Sequence, residues 1–204
     1  MVKTLSGLNN GFFIVLEGID GAGKTTISMM LMDYYKELGY RVHYTYEPFE
    51  TPYINLLKER YSDLRDAYLD ALTYAIDRYI HLKTDILPRL REGYIVICDR
   101  YYYSSVAYQS AQEAPFEWLI ELNRFAYKPD VAIYLDVEPE IGLARRRDLK
   151  SRFPEYETRS FLVKVREYYL RLVDLKYLEY VDANREPNLV FKDVLNIIRE
   201  KLKI

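Results

Sequence analysis

Residues 18–25 read G-I-D-G-A-G-K-T and lie between an apolar run, FFIVLE at 12–17, and a helix-forming segment, TTISMMLMDYYKEL, closed by Gly39. A strand, a tight glycine bend and a helix must follow one another here. Glycines let the backbone turn so that successive N–H groups point inward, and the positive end of the following helix favours an anion in that concavity. The spacing of glycine, four residues, glycine, lysine and threonine is that of a phosphate-cradling P-loop. Gly18, Ile19, Asp20, Gly21, Ala22, Gly23, Lys24, Thr25 and Thr26 are therefore expected to bind a nucleoside triphosphate. Lys24 would reach its β and γ phosphates, and Thr25 would ligate magnesium.

Four further runs rich in β-branched and aromatic residues complete a strand pattern: RVHYTY (41–46), YIVICD (94–99), VAIYLDV (131–137) and the weaker LEYVDA (178–183). Segments of helical period separate them, the longest being LRDAYLDALTYAIDRYIHLKTDILPRLREG at 64–93. Strands that are apolar throughout, rather than alternating, belong to a parallel sheet covered on both faces. The expected fold is α/β, a P-loop NTPase domain with a five-stranded parallel sheet and helices on both faces. A chain of 204 residues fits a single domain over 1–204. Ligands of such a sheet gather at the carboxyl ends of its strands, where Glu17, Glu47, Asp99 and Asp136 lie.

Twenty-nine basic and 31 acidic residues nearly cancel, so no global field draws the chain to nucleic acid or to an anionic membrane. No apolar run approaches the roughly 20 residues of a membrane span, and MVKTLSGLNNG lacks the apolar core of a signal peptide. A cytoplasmic protein with no nucleic-acid or membrane partner is expected. The single cysteine, Cys98, ends an apolar run and reads as a small core residue.

A P-loop alone does not fix function. The chain has no N-K-x-D element for guanine and no transporter-type LSGGQ signature after the loop, which leaves a small-molecule kinase. Three blocks, FIVLEGIDGAGKTT, then DRYYYSSVAYQ at 99–109, then YLDVEPEIGLARRR at 134–147, together resemble the thymidylate kinase family in order and spacing. That resemblance implies phosphorylation of dTMP by Mg·ATP, with Mg2+ as the metal and a homodimer formed through helices; the apolar, tyrosine-rich stretch around 63–82 is suited to that contact.

The acceptor's phosphate needs a cation facing the loop, and Arg100, just after the third strand, offers forked donors in that position. Tyr74 and Arg78 lie four residues apart on one face of a predicted helix. The resemblance implies that Tyr74 stacks on thymine and that Arg78 reaches the acceptor's phosphate; the plain alternative is a core tyrosine and an arginine paired with a carboxylate. The resemblance also gives Asp20 a contact to the 3′-hydroxyl, Ser104 and Ser105 a place at the pyrimidine edge or a helix cap, and Tyr108 the ring beside the ribose 2′ position. Glu47 would orient the acceptor-binding arginines. Asp99 would arrange magnesium or its waters, with Asp136 as a competitor. The family's usual T-R-E-P-G segment is here TYEPFET, with Tyr46 and Phe49 in place of arginine and glycine.

GLARRRDLKSRF carries Arg145, Arg146, Arg147, Lys150 and Arg152 between two predicted helices. Its position suggests a short lid at approximately 145–156. Some members of the resembled family carry a catalytic arginine inside the P-loop; others have glycine there and supply it from this lid. Gly21 places the chain in the second group, with Arg147 or Arg152 as the catalytic cation and Arg145 nearer the adenine side, where the segment DANREP at 182–187 also falls. Two other readings remain open: a kinase for a different nucleotide or a deoxynucleoside, with Glu17 as general base, and a nucleotide-binding regulatory module without turnover.

Overall fold

The computed structural model describes residues 11–145 and 158–202. Five strands, β1 (Phe12–Glu17), β2 (Val42–Tyr46), β3 (Ile95–Asp99), β4 (Val131–Asp136) and β5 (Glu179–Asp182), form one sheet in the order β2-β3-β1-β4-β5. Every pairing is parallel. The three inner strands, β1, β3 and β4, are buried at every residue, as continuous apolar runs require, and the edge strands are only partly covered. Register brings Leu16, Asp99 and Tyr46 to one level and sets Glu17 beside Tyr134. The acidic strand ends thus converge along one edge.

Helix α1 (Lys24–Glu37) follows the glycine bend directly. Helix α2 (Pro52–Glu59) was hidden in sequence by its shortness, although proline in its first turn is a start signal. The long periodic stretch at 64–93 is not one regular α-helix. It comprises α3 (Ala67–His81), a wide turn at Leu82–Ile86 and α4 (Leu87–Arg91). Pro88 has no N–H to give to the preceding turn, and the backbone widens just before it, with Leu87 bonding back five residues to Leu82. Asp66 caps α3 by accepting from the Leu69 N–H at 2.7 Å.

Helix α5 (Tyr102–Ala111) also lacked a visible period, because nearly all its faces are buried. The remaining helices are α6 (Phe116–Leu122), α7 (Pro139–Arg145), α8 (Arg159–Asp174) and α9 (Pro187–Leu202). Helix α8 presents Leu162, Val165, Tyr169 and Leu172 to the core at helical spacing, packing on α5. Among the described residues, no helix is long and apolar enough to cross a membrane.

Helix α7 meets the glycine bend backbone to backbone. A Cβ on Gly142 would lie 2.7 Å from the Asp20 carbonyl oxygen, and one on Gly21 would lie 2.2 Å from the Gly142 carbonyl oxygen. Both positions exclude a side chain, because a backbone carbonyl cannot swing aside. Gly142→Ala is expected to destabilise the chain by about 1–3 kcal/mol, read as a lowered midpoint in denaturant unfolding.

Candidate active site

The bend leaves β1 through Gly18 and reaches α1 through Gly23, and Gly18, Gly21 and Gly23 all have positive φ (148°, 81° and 91°). A Cβ added at Gly23 would meet nothing within 4 Å, so the concavity is open on that side. Lys24 folds back over the loop and donates from Nζ to the Ile19 carbonyl at 3.0 Å. Burial, helped by the positive charge of Arg100, pushes the Lys24 amine down to about 8, while Asp99, Asp20 and Glu17 work the other way.

Thr25 donates from Oγ1 to Asp99 Oδ2 at 2.6 Å. A hydroxyl and a carboxylate held this close are a hard-oxygen pair that suits magnesium, which usually takes few protein ligands and completes its shell with phosphate and water. Tyr44, not foreseen from sequence, places its hydroxyl against Thr25 and near Asp99; burial, reinforced by Asp99, pushes that phenol up to about 12. Asp136 is otherwise engaged. It accepts from Arg166 Nε and Nη2, both at 2.8 Å, and from the Tyr134 hydroxyl at 2.7 Å.

Across the loop stands Arg100, a non-glycine residue at φ 72°. That conformation costs about 1–3 kcal/mol and persists only where its surroundings hold it. Here its N–H donates to the Leu16 carbonyl at 2.9 Å, and the next residue is clamped by Glu17. Its guanidinium donates to Asp20 at 2.6 Å, to Ser104 Oγ at 3.1 Å and to the Tyr108 hydroxyl at 3.4 Å, and lies over the Tyr108 ring. Arg100 therefore looks out over Asp20 towards the glycine loop.

Glu17 is wholly buried and accepts four hydrogen bonds: from the Tyr101 N–H at 2.8 Å, the Ser104 N–H at 3.2 Å, the Ser104 hydroxyl at 2.6 Å and the Tyr169 hydroxyl at 3.0 Å. Burial raises its carboxyl, and these donors and Arg100 partly offset that. Both oxygens are occupied within the protein, so Glu17 is not placed to take a proton from a sugar hydroxyl. Tyr169 lies in no motif of the sequence and comes to Glu17 only through the packing of α8 on α5.

Arg78 is 2% exposed and fully engaged. It donates from Nε to Glu47 Oε2 at 2.8 Å, from Nη1 to Asn123 Oδ1 at 2.6 Å and from Nη2 to Ser105 Oγ at 3.1 Å. Arg78 is thereby paired with the Glu47 carboxylate. Tyr74, one turn earlier on α3, is half-buried. Ser104 and Ser105 thus serve Glu17 and Arg78 from the first turn of α5. Arg145 straps the loop, donating from Nη1 to the Gly21 carbonyl at 3.3 Å and to the Ala183 carbonyl at 3.1 Å. Arg146, Arg147, Lys150 and Arg152, with most of the expected lid, lie outside the described residues.

The family model described as Thymidylate kinase matches residues 16–194. Among curated relatives, proteins named probable thymidylate kinase match nearly end to end. That of Staphylothermus marinus is 63% identical over 194 residues, covering 95% of this chain and 98% of that protein. That of Pyrobaculum aerophilum is 42% identical (94% and 98% covered), and that of Pyrococcus abyssi 38% (94% and 98%).

Lys24 carries a testable consequence. The folded chain holds its proton less tightly than the unfolded chain, so raising the pH through about 8 relieves a stability penalty and at the same time removes the loop's cation. Triphosphate binding should therefore weaken by up to about tenfold per pH unit above that point, with proton uptake on binding, both measurable by titration calorimetry in buffers of different ionisation enthalpy. Affinity that stays flat to about pH 9 would contradict this state of Lys24.

Proposed function

This chain belongs to the thymidylate kinase family, and from that premise we propose how its residues carry the γ-phosphoryl group of ATP to dTMP. The observation that carries the reading is a pair of cationic sites joined at the glycine loop. Lys24 and the loop N–H groups form one. Arg100, held by Asp20 of that loop, Ser104 and Tyr108, forms the other.

Phosphoryl transfer spreads charge over the equatorial oxygens, so positioning and positive charge do most of the work. The triphosphate lies in the loop of residues 18–26, with Lys24 on its outer phosphates and Arg145 bracing the loop from α7. Thr25 and Asp99 would hold magnesium, which supplies charge neutralisation between the phosphates when bound. Arg100 takes the phosphate of dTMP, exchanging its contact with the half-exposed Asp20, which turns to meet the sugar's 3′-hydroxyl. Tyr74 and Tyr108 flank the nucleoside, while Glu47, Arg78, Ser104 and Ser105 form the frame behind it. The acceptor is already an anion and needs no general base. A Gly21 that can carry no side chain leaves the catalytic arginine to be supplied from elsewhere, and Arg147 or Arg152 is the candidate.

The test is ADP formation from Mg·ATP with dTMP, dUMP, dCMP, UMP, AMP and thymidine. dTMP should be preferred, with dUMP poorer by roughly 10–200-fold because one methyl group separates them. Arg100→Ala should lower kcat/KM for dTMP by about 100-fold or more and leave ATP affinity nearly unchanged. Preference for another acceptor, or unchanged dTMP kinetics in that variant, would overturn the assignment; no transfer to any acceptor would favour a regulatory module.

We also propose that a second copy covers the outer face of α3, where Tyr68, Leu72, Ile76 and Tyr79 recur at helical spacing and are all exposed. Leu72→Glu is expected to convert a dimer to a monomer in light scattering. A monomeric wild type would exclude this contact.

A further inference from the structure

Helix α3 grips the segment after β2 through three inward residues, Asp77, Arg78 and His81. Asp77 accepts from the Phe49 N–H at 2.6 Å and from the Thr51 N–H at 2.9 Å. Arg78 holds Glu47. His81 is 0% exposed and touches the segment on three sides. Its Nδ1 is 3.3 Å from Glu47 Oε1, its Nε2 is 2.7 Å from Thr45 Oγ1, and the Phe49 ring stacks on it at 4.2 Å between centroids, 14° from parallel. Asp85, one turn further on, is 3.5 Å from the same Nε2 and also bonds His43 at 2.8 Å.

An aliphatic side chain would fill this space without the cost of burying polar atoms. Burial alone would lower the His81 pKa, yet hydrogen bonds to Asp85 and Glu47 outweigh it and raise it. Asp85, His81, Glu47 and Arg78 thus follow one another in a continuous line of polar contacts. Glu47 Oε2 serves Arg78 and Oε1 faces His81, so the carboxylate is fixed at both ends. With one end released it can turn, and Arg78 can turn with it. Arg78 also holds Ser105, which adjoins Ser104, the partner of Arg100. A loose Glu47 is therefore felt at the acceptor wall and not at the glycine loop.

We infer that His81 is a positioning residue of the acceptor pocket, fixing Glu47 and the stacked Phe49 so that Arg78 and Ser105 present one rigid wall to the incoming nucleotide. This rests on the dTMP reading given above. The test compares isosteres. Asparagine places its amide near Nδ1 and keeps a donor for Glu47; glutamine places its amide near Nε2 and keeps Thr45 and Asp85 but not Glu47. In steady-state assays with dTMP and Mg·ATP, His81→Gln should raise KM for dTMP by about tenfold or more with KM for ATP within about twofold of wild type. His81→Asn should stay within about threefold of wild type for both substrates. A merely structural role would change the two variants alike and both KM values together, and that result overturns the inference, as does an unchanged KM for dTMP in His81→Gln. Should the His81 variants fail to fold, Phe49→Leu decides, with a rise of about threefold in KM for dTMP alone expected and no change counting against it. A wild-type chain that transfers nothing to dTMP overturns the underlying reading and the inference with it; an active wild type with unaltered variants overturns the inference alone.

Discussion

The buried carboxylate of Glu17 is the contact on which the site depends. It ends the central strand and caps the start of α5 from outside that helix, taking the Tyr101 N–H and sharing the Ser104 N–H with the Tyr101 carbonyl. It also reaches α8 through the Tyr169 hydroxyl. One carboxylate thus joins a strand and two helices. Burial raises the Glu17 carboxyl, and the four hydrogen bonds it accepts work against that cost. The same clamp holds the backbone beside Arg100, whose strained φ aims its guanidinium at the glycine loop.

The rest of the site shows how a chain with nearly balanced charge builds a polyanion site locally. Each functional cation is set against a defined acceptor: Lys24 on the Ile19 carbonyl, Arg100 on Asp20, Arg145 on the Gly21 and Ala183 carbonyls. Contacts that are exposed, such as Asp20, can yield to a phosphate. Those that are buried, such as Arg78 with Glu47 and Asn123, shape the pocket instead. Removing one partner of a buried pair costs about 3–5 kcal/mol, so these frames are not free to rearrange for a ligand.

The sheet and the glycine loop were legible because local pattern dictates them. Inner strands must be apolar throughout, and the loop's glycines adopt backbone angles that other residues avoid. Harder to read were features set by long-range packing. Helix α5 is buried on almost every side, so its period vanished, and the turn before Pro88 widens within the helical stretch without breaking it. Arg78 could be placed on its helix, but its choice between a ligand and Glu47 depends on a segment 31 residues away. Tyr44, Asn123, Tyr169 and His81 carry no motif; only the folded chain brings them to the site. The TYEPFET segment gains its meaning the same way, since Phe49 has no partner in sequence and a buried imidazole in the fold.

The most direct test of this account is kcat/KM for dTMP in Glu17→Gln. Glutamine matches the shape of glutamate but carries no charge and keeps one acceptor oxygen, so the Ser104 and Tyr169 hydroxyls that donated to the second oxygen now face an N–H2 donor, and Ser104, with Arg100 on it, should shift while the glycine loop keeps its fold. A fall of about 100-fold, with ATP binding within a few-fold of wild type, is the predicted result. Wild-type kcat/KM in that variant would contradict the central role given to this carboxylate.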